Sequence, residues 1–317
     1  MKNNALCLLL LFFTCEVLSA QDTGSGLDFL NIGPSPRLLA VSEAGTAMLS
    51  GPSAMYSNPS LLAFEPSGSV DLSYTLWISE VGNQFAGINF RTNSRTAIAF
   101  GVFSSKADNF EARDGPGPAS GTFSVSYLSL AGSAAYRLGP VSAGFTLQYI
   151  REEVFQFIAN GYAYTLGASA GLLDERVRLG VSVNNLGEME ELDTISTPVP
   201  SSWNAGISAA VLEFVSPGIN EFPLLLSVHA SYSKPIQEQT SSDFAGSDSL
   251  DGYLNVALTG EAAGLFAVQT GYRFGPTERP LSFGLGLILE PVRINYAMVP
   301  FSTGFGTSHS FGIQYNF

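Results

Sequence analysis

Apolar residues alternate with small or polar residues along most of the chain beyond Gly68. The stretch 311–317 alternates strictly, with aromatic residues and isoleucine at the odd positions and glycine, glutamine and asparagine at the even ones. Stretches 141–149, 177–184 and 292–298 follow the same rule. Because successive side chains of a strand point to opposite faces, each stretch predicts a strand with one apolar and one small, polar face.

Extended through the chain, this pattern predicts fourteen strands. A change of parity near Tyr127-Leu128 predicts a bulge in the fourth of them. The strands are expected at about 68–78, 83–92, 96–105, 121–137, 140–151, 160–172, 176–186, 201–214, 222–233, 251–261, 264–274, 280–290, 291–300 and 307–317.

The connections between these strands alternate in length. Those after odd-numbered strands include the long ones, whereas those after even-numbered strands are mostly tight turns, such as Leu138-Gly139 and Glu290-Pro291. A β-sandwich has no reason to keep this parity. An outer-membrane β-barrel does, because its long loops lie outside the cell and its short turns lie in the periplasm. The predicted location is the outer membrane, in contact with its lipid.

Residues 21–67 do not alternate. Ser35-Pro36 predicts the start of a short helix, and Gly51-Pro52 and Asn58-Pro59 are helix breakers. The inward residues of the predicted strands are mostly Gly, Ser, Ala, Thr and Asn, which are too small to fill a barrel of this size. The predicted fold is therefore all-β: a 14-stranded antiparallel transmembrane β-barrel with an N-terminal, partly helical plug in its lumen.

The first twenty residues have the pattern of a secretory signal peptide. Lys2 precedes an apolar block at 6–13, and Ser19-Ala20 is a small-residue cleavage site. The predicted domains are a signal peptide at 1–20, a plug at 21–67 and a barrel at 68–317.

Composition narrows the chemistry. The net charge of −13 argues against nucleic acid as a partner, which requires a basic surface. Both cysteines, Cys7 and Cys15, lie in the predicted signal peptide, so the mature chain has no disulfide or thiolate metal site. The two histidines, His229 and His309, do not have metal-ligand spacing, and we find no motif for a cofactor or a nucleophile. We predict a protein that is not an enzyme and has no cofactor.

One enzymatic alternative is a Ser-His constellation around His229, which shares a strand face with Ser227, Ser231 and Ser233. A polar histidine in the lumen is the simpler interpretation. Aromatic residues near strand ends also predict interfacial girdles. These residues are Tyr74, Trp77, Phe103, Phe123, Tyr127, Tyr136, Tyr149, Tyr162, Trp203, Tyr232, Tyr272, Phe274 and Tyr296.

The N-terminal sequence resembles the PorV/PorQ family of outer-membrane proteins. The resemblance rests on FLNIGPSPR at 29–37, Ala44-Gly45 and MYSNPSLLAF at 55–64, whereas LLAVS at 38–42 departs from the family's glycine-rich pattern. The family is related to FadL-type transporters, with which it shares an Asn-Pro element in a lumenal hatch. The resemblance implies a 14-stranded barrel with an N-terminal plug, and it implies that Pro34, Arg37, Asn58 and Pro59 form the plug motif.

Function follows from the resemblance in two ways. A PorV-like role implies a barrel that handles secreted cargo in type IX secretion, with cargo proteins and secretion-system components as partners. We expect cargo to contact long outer loops through Phe110, Phe155 and Phe157, or through acidic loops at 188–193 and 243–251. The alternative is a FadL-like channel for hydrophobic solutes, which predicts an apolar path through the plug. The closing strand that ends at Phe317 resembles the outer-membrane barrel signature, which implies barrel-assembly machinery as a transient partner.

Overall fold

The computed structural model describes residues 27–113, 119–193, 195–216, 222–236, 252–275 and 277–317. The predicted signal peptide at 1–20, the start of the predicted plug and the whole acidic loop at 243–251 lie outside the described residues.

Fourteen antiparallel strands form a closed barrel, in which every strand pairs with its neighbours in the chain and the first pairs with the last. A small separate hairpin, β8–β9, stands between β7 and β10. The strands are β1 (Ser69–Leu76), β2 (Gly82–Arg91), β3 (Thr96–Ala112), β4 (Gly121–Leu138), β5 (Val141–Val154), β6 (Phe157–Leu172), β7 (Val177–Met189), β8 (Glu191–Leu192), β9 (Ile195–Ser196), β10 (Ser202–Ser216), β11 (Phe222–Pro235), β12 (Tyr253–Ala262), β13 (Phe266–Phe274), β14 (Leu281–Leu289), β15 (Val292–Pro300) and β16 (Thr307–Asn316).

The fourteen predicted strands are confirmed. We call the end of the barrel that carries the connections after β1, β3, β5, β7, β11, β13 and β15 the loop end, and the opposite end the turn end. Short turns such as Gly139-Pro140 and Glu290-Pro291 lie at the turn end, as the alternation of connection lengths predicted.

The predicted bulge at Tyr127-Leu128 is wrong. β4 pairs with β5 without a shift from Val125 to Leu138, and the irregularity between β3 and β4 lies between Ala107 and Phe110 instead. Alternation in fact continues through Tyr127, whose ring stacks on Phe29 inside the barrel. An aromatic residue on the inner face imitated a change of parity.

The outer face of the barrel is apolar and the inner face is small and polar. In β16, Phe311 and Ile313 are each 54% exposed, whereas Ser308 and Ser310 on the other face are buried. The girdle prediction fails for some of its residues. Phe103 is 1% exposed on the inner face, Tyr127 is also turned inward, and Trp77 packs against Phe301.

Residues 27–64 lie inside the ring of strands, because they contact strands on opposite sides of the barrel. Their 3-10 helices are Asp28–Asn31, Gly51–Ser53 and Pro59–Phe64, and their α-helices are Pro36–Ala40 and Ala54–Ser57. A further 3-10 turn, Ile78–Glu80, lies at the loop end. We call residues 27–64 the lumenal segment.

Local sequence explains how the lumenal segment folds. Pro36 takes the first helical position after an extended Ser35, as predicted. The Ser35 hydroxyl contacts the Ser53 hydroxyl at 3.1 Å and makes no cap hydrogen bond. Leu38, Leu39 and Leu61 are buried against the wall, and each such side chain contributes about 1.5–3 kcal/mol of transfer free energy. No helix among the described residues is long and apolar enough to cross a membrane.

Candidate functional site

Asn58 is the centre of a hydrogen-bond network between the lumenal segment and β6. Its side-chain oxygen accepts bonds from the Ser60 backbone N–H at 3.2 Å and from the Ser60 hydroxyl at 2.6 Å, which caps the Pro59–Phe64 helix. Its side-chain nitrogen donates to the Thr46 carbonyl and to Ser169 Oγ of β6 at 3.0 Å. The Asn-Pro element therefore ties two parts of the segment to the wall.

Glycines in the wall make room for this network. A Cβ atom at Gly167 in β6 would clash with the Asn58 side-chain oxygen, and one at Gly180 in β7 would clash with the Thr46 carbonyl oxygen. A Cβ atom at Gly144 in β5 would clash with the backbone of Pro59 and Ser60. The close approach of the segment to the backbone of these strands requires glycine at the three positions.

Two arginines hold the extended stretch between the helices. Arg37 donates to the Leu49 carbonyl oxygen at 2.9 Å and to Gln314 Oε1 of β16 at 3.2 Å. Arg178 of β7 donates to the Ala47 carbonyl oxygen at 3.4 Å. Together with Asn58, these arginines satisfy carbonyl groups that have no partner within a helix or sheet.

Glu43 ties the segment to the loop end. Its carboxylate pairs with Arg273 of β13 and with Arg279, whose Nη1 lies 2.9 Å from Glu43 Oε1. The Gly33 backbone N–H donates to the same oxygen at 2.8 Å. Burial alone would raise the pKa of Glu43, but the two guanidinium groups and these hydrogen bonds outweigh it and lower the pKa to about 2.

Glu65 lies at the opposite end, just after the segment. Its Oε1 accepts a hydrogen bond from the Gly51 backbone N–H at 2.6 Å. Burial raises the pKa of Glu65 above its usual value, although the nearby Arg37 and Arg178 oppose the shift. The surroundings therefore lower the pKa of Glu43 and raise the pKa of Glu65, although both carboxyl groups anchor the segment.

One side of the lumen is apolar. Between the segment and strands β2–β4, Tyr56 contacts Phe85 and Phe103 edge-on, with ring centroids 5.9 and 5.8 Å apart, and Phe29 lies 5.5 Å from Phe103. Alanines of β3 and β4 continue this contact toward the turn end, where Leu61 and Leu62 join it. We call this contact between the segment and β2–β4 the apolar sector. In the described part of the chain, the one hydrogen bond seen across it joins the Tyr56 hydroxyl and Ser129 Oγ at 3.4 Å.

The four predicted plug residues all lie in the lumenal segment. Pro34 accepts a hydrogen bond at its carbonyl oxygen from Ser73 Oγ of β1 at 2.7 Å, Pro59 is buried against Gly144, and Arg37 and Asn58 make the bonds described above. Sequence reasoning missed Glu43 and its two arginines, because Glu43 lies 230 and 236 positions from them in the chain. The glycine-rich strands did predict the barrel wall. They did not show which of the glycines face the lumenal segment.

The predicted cargo-contact residues lie at the loop end, away from the segment. Phe110 is 43% and Phe155 59% exposed, and both rings contact Phe123, with centroids 5.4 and 6.1 Å apart. Phe157, at the start of β6, is also exposed. These aromatic residues therefore pack against one another within the loops and are also exposed to solvent.

His229 is buried on the inner face of β11. Its Nδ1 lies 2.9 Å from Ser208 Oγ and its Nε2 lies 3.1 Å from Thr259 Oγ1, so the ring bridges the two neighbouring strands. Both ring nitrogens are engaged by hydroxyl groups. Among the described residues, no cluster of three or more His, Cys, Asp or Glu side chains could hold a metal ion.

Comparison with known proteins identifies the fold. No protein-family model matches the chain, and no curated protein matches it. The Pseudomonas putida toluene transporter TodX superposes with a TM-score of 0.56 over 90% of this chain and 97% of TodX, at 11% sequence identity. A Pseudomonas aeruginosa FadL homologue gives 0.52 over 89% and 98%, at 12% identity.

The chain therefore has the fold of the FadL-type channel barrels. At this level of identity the likeness is one of fold alone. No finding supports the finer PorV/PorQ assignment, which stays a prediction.

Proposed function

We propose that this protein is an outer-membrane channel for small apolar solutes, with the lumenal segment as its plug. Three observations support the membrane location: the exposed apolar outer face of the barrel, the likeness in fold to transport channels and the export signal expected at 1–20. The same likeness favours a channel over the handling of secreted cargo.

The apolar sector is the observation that carries this proposal. Contacts between Phe29, Tyr56, Phe85 and Phe103 are dispersive and non-directional, so an apolar solute can replace them one by one. A polar solute would break water contacts there without gaining partners. The sector extends from Leu27 to the level of Ala135, near the turn end, and thus spans most of the height of the barrel on this side.

The other contacts of the segment are directional. Hydrogen bonds join it to β5–β7, for example from Thr146 Oγ1 to the Met55 carbonyl oxygen at 2.9 Å. On the far side, Ser42 and Ser282 of β14 contact each other through their hydroxyl oxygens at 2.8 Å. We infer that the segment stays attached on these sides and moves away from β2–β4, and that solute passes between them.

A disulfide between positions 55 and 101 tests this motion. A Cβ atom at Gly101 of β3 would lie 2.9 Å from Met55 Sδ, so Met55→Cys combined with Gly101→Cys sets two cysteines against each other across the apolar sector. We expect the oxidised protein to lose uptake of a radiolabelled monoaromatic hydrocarbon in a host strain that lacks such a channel. Reduction should restore uptake.

A matched control is Ser42→Cys combined with Ser282→Cys, whose hydroxyl oxygens lie 2.8 Å apart. This disulfide ties the segment to β14, on a side where the segment stays attached, so uptake should persist after oxidation. The proposal fails if the 55–101 disulfide leaves uptake unchanged, or if wild-type protein confers none.

A second candidate function is the binding of secreted cargo at the loop end. Phe110 and Phe155, which are exposed and pack against Phe123, favour it, because exposed aromatic side chains are common at protein interfaces. Purification from native membranes, with and without Phe110→Ala and Phe155→Ala, tests it. A secreted protein or secretion component that co-purifies with wild-type protein only would support this function, and its absence from both would remove it.

A further inference from the structure

Four residues form one row across the inner wall near the loop end. In the strand pairing, Asn83 lies opposite Ser105, Ser105 opposite Tyr127, and Tyr127 opposite Glu152. Because neighbouring strands are about 4.8 Å apart, the backbones at Asn83 and Glu152 are separated by at most about 14 Å along the wall. We call these four residues the polar row.

The two ends of the polar row carry buried polar atoms without partners. Asn83 is 2% exposed, and neither its side-chain oxygen nor its side-chain nitrogen makes a hydrogen bond. Glu152 is 3% exposed, and its Oε2 has no partner. Leaving buried polar atoms unpaired is costly, so three of them on two residues of one row call for a physical reason.

The charge of Glu152 has no counterpart nearby. None of the ion pairs between described residues includes Glu152, and the carboxyl group is hydrogen-bonded by the hydroxyl of Thr197. The neighbouring Arg151 pairs with Glu153 instead, at 3.4 Å. A buried carboxylate is costly unless a cation accompanies it.

The surroundings of the row are aromatic and apolar. Tyr127 stacks on Phe29 with ring centroids 5.4 Å apart, and Ile150 and Val199 complete the same buried cluster. A ring brought by a ligand can take the place of Phe29 against Tyr127. A cation beside these rings gains from cation–π attraction as well as from Glu152.

We propose that the polar row binds an apolar solute that carries an ammonium group. The ammonium pairs with Glu152, the apolar body packs between Tyr127 and Phe103, and Asn83 receives a second polar group of the solute. The inference rests on the proposed function, since the row lies at the loop-end entrance of the apolar sector. The exposed acidic residues Glu188, Glu190, Glu191 and Asp193 alternate with Met189 and Leu192, which pack in the same apolar cluster, and would concentrate cations there.

Three naphthalene probes of one shape test the charge preference. Binding of 2-naphthylmethylammonium, 2-naphthylmethanol and 2-naphthoate to the full-length mature protein in a non-ionic detergent can be followed by naphthyl fluorescence. We expect the ammonium to bind about tenfold more tightly than the alcohol, and the carboxylate most weakly. Equal or weaker binding of the ammonium compared with the alcohol would overturn the proposal.

Two isosteric variants locate the effect. Glu152→Gln should bring the ammonium to within about twofold of the alcohol in the same variant, because the charge is removed and the shape of the side chain is kept. The matched control Glu153→Gln, at the exposed neighbour that pairs with Arg151, should keep the wild-type order. An equal loss in both variants would contradict a role for Glu152.

A heat-dependent shift in gel migration shows whether Glu152→Gln folds. If the variant does not fold, the probe series on wild-type protein still decides the question. Failure of this inference is separable from failure of the channel proposal. Binding is measured in detergent without transport, whereas the disulfide experiment measures uptake of an uncharged hydrocarbon that does not need Glu152.

Discussion

The Asn58 side-chain amide donates a hydrogen bond to the Thr46 carbonyl oxygen at 2.8 Å, inside a barrel whose wall has glycine beside both residues. The bond joins two stretches of the lumenal segment that are 12 residues apart in the chain. Asn58 thus acts at once as a helix cap and as a cross-link within the segment.

Replacing Asn58 should loosen the segment without opening the barrel. Asn58→Ala removes the cap and leaves the Thr46 carbonyl unpaired, at a cost of roughly 2–4 kcal/mol. We expect faster proteolysis of the segment while the barrel keeps its folded gel migration. Asn58→Asp is the informative control, because it keeps the acceptor for Ser60 and loses only the donor bonds. Equal protection of the segment in wild type and Asn58→Ala would contradict this role.

A single methyl group at Gly167 should displace the segment. The added Cβ would meet the Asn58 side-chain oxygen, so Gly167→Ala must move Asn58 or push the segment away from β6. We predict that the free energy of unfolding of the segment falls by about 1–3 kcal/mol. Faster amide hydrogen exchange within the segment measures this loss. Gly260→Ala in β12 is the matched control, since nothing lies within 4 Å of its Cβ position. A greater effect of Gly260→Ala than of Gly167→Ala would show that the close approach is not what requires glycine.

Acid should weaken the attachment of the segment at the loop end. The pKa of Glu43 is lowered from 4.5 to about 2 in the folded protein. Because the folded pKa is depressed, the stabilisation is complete above pH 4.5 and is lost as the pH falls from there toward 2. At 1.36 kcal/mol per pKa unit the contribution is at most roughly 3 kcal/mol.

Glu43→Gln should therefore differ most from wild type at neutral pH. Proteolysis of the segment by an acid-active and a neutral protease, at pH 3 and pH 7, measures the difference. Glu278→Gln, at an exposed carboxylate near the same arginines in the chain, is the control and should behave as wild type. A difference between Glu43→Gln and wild type that grows on acidification would reverse the sign of this argument.

Replacing Asn83 should stabilise the protein and impair ligand binding. Asn83→Leu has a similar shape and removes two buried polar atoms that have no partners, so unfolding should become less favourable by about 1 kcal/mol. Thermal unfolding followed by circular dichroism measures this gain. We expect weaker binding of a naphthylmethylammonium that carries a second polar group, with unchanged binding of the parent probe. Loss of stability in Asn83→Leu would mean that the amide has a partner in the folded protein.

The wall of the barrel was predictable from the sequence because it obeys a local rule. Side chains of a strand alternate, and an apolar outer face and a small, polar inner face convert that alternation into residue type. The strands from Val141, Val177 and Val292 were found within about one residue of their start for this reason. Turn lengths added the parity of the connections, and Ser35-Pro36 marked the start of its helix.

The rule failed where inward side chains pack against the lumenal segment. Phe103 and Tyr127 were assigned to a girdle, yet both contact Phe29 inside the barrel, and Tyr127 also imitated a bulge. An inward aromatic residue cannot be distinguished from an outward one by type alone. Its direction depends on which part of the segment lies opposite.

The sequence by itself determined the number of strands, their order around the wall and the composition of the two faces, because each follows from neighbours in the chain and from the solvent on each side. Only the tertiary structure decided how the segment is held. Glu43 meets Arg273 and Arg279 across more than half the chain, and Asn83 and Glu152 share a row through three successive pairings. Closure of the sheet brings these residues together, and no periodic pattern in the chain predicts that they are neighbours.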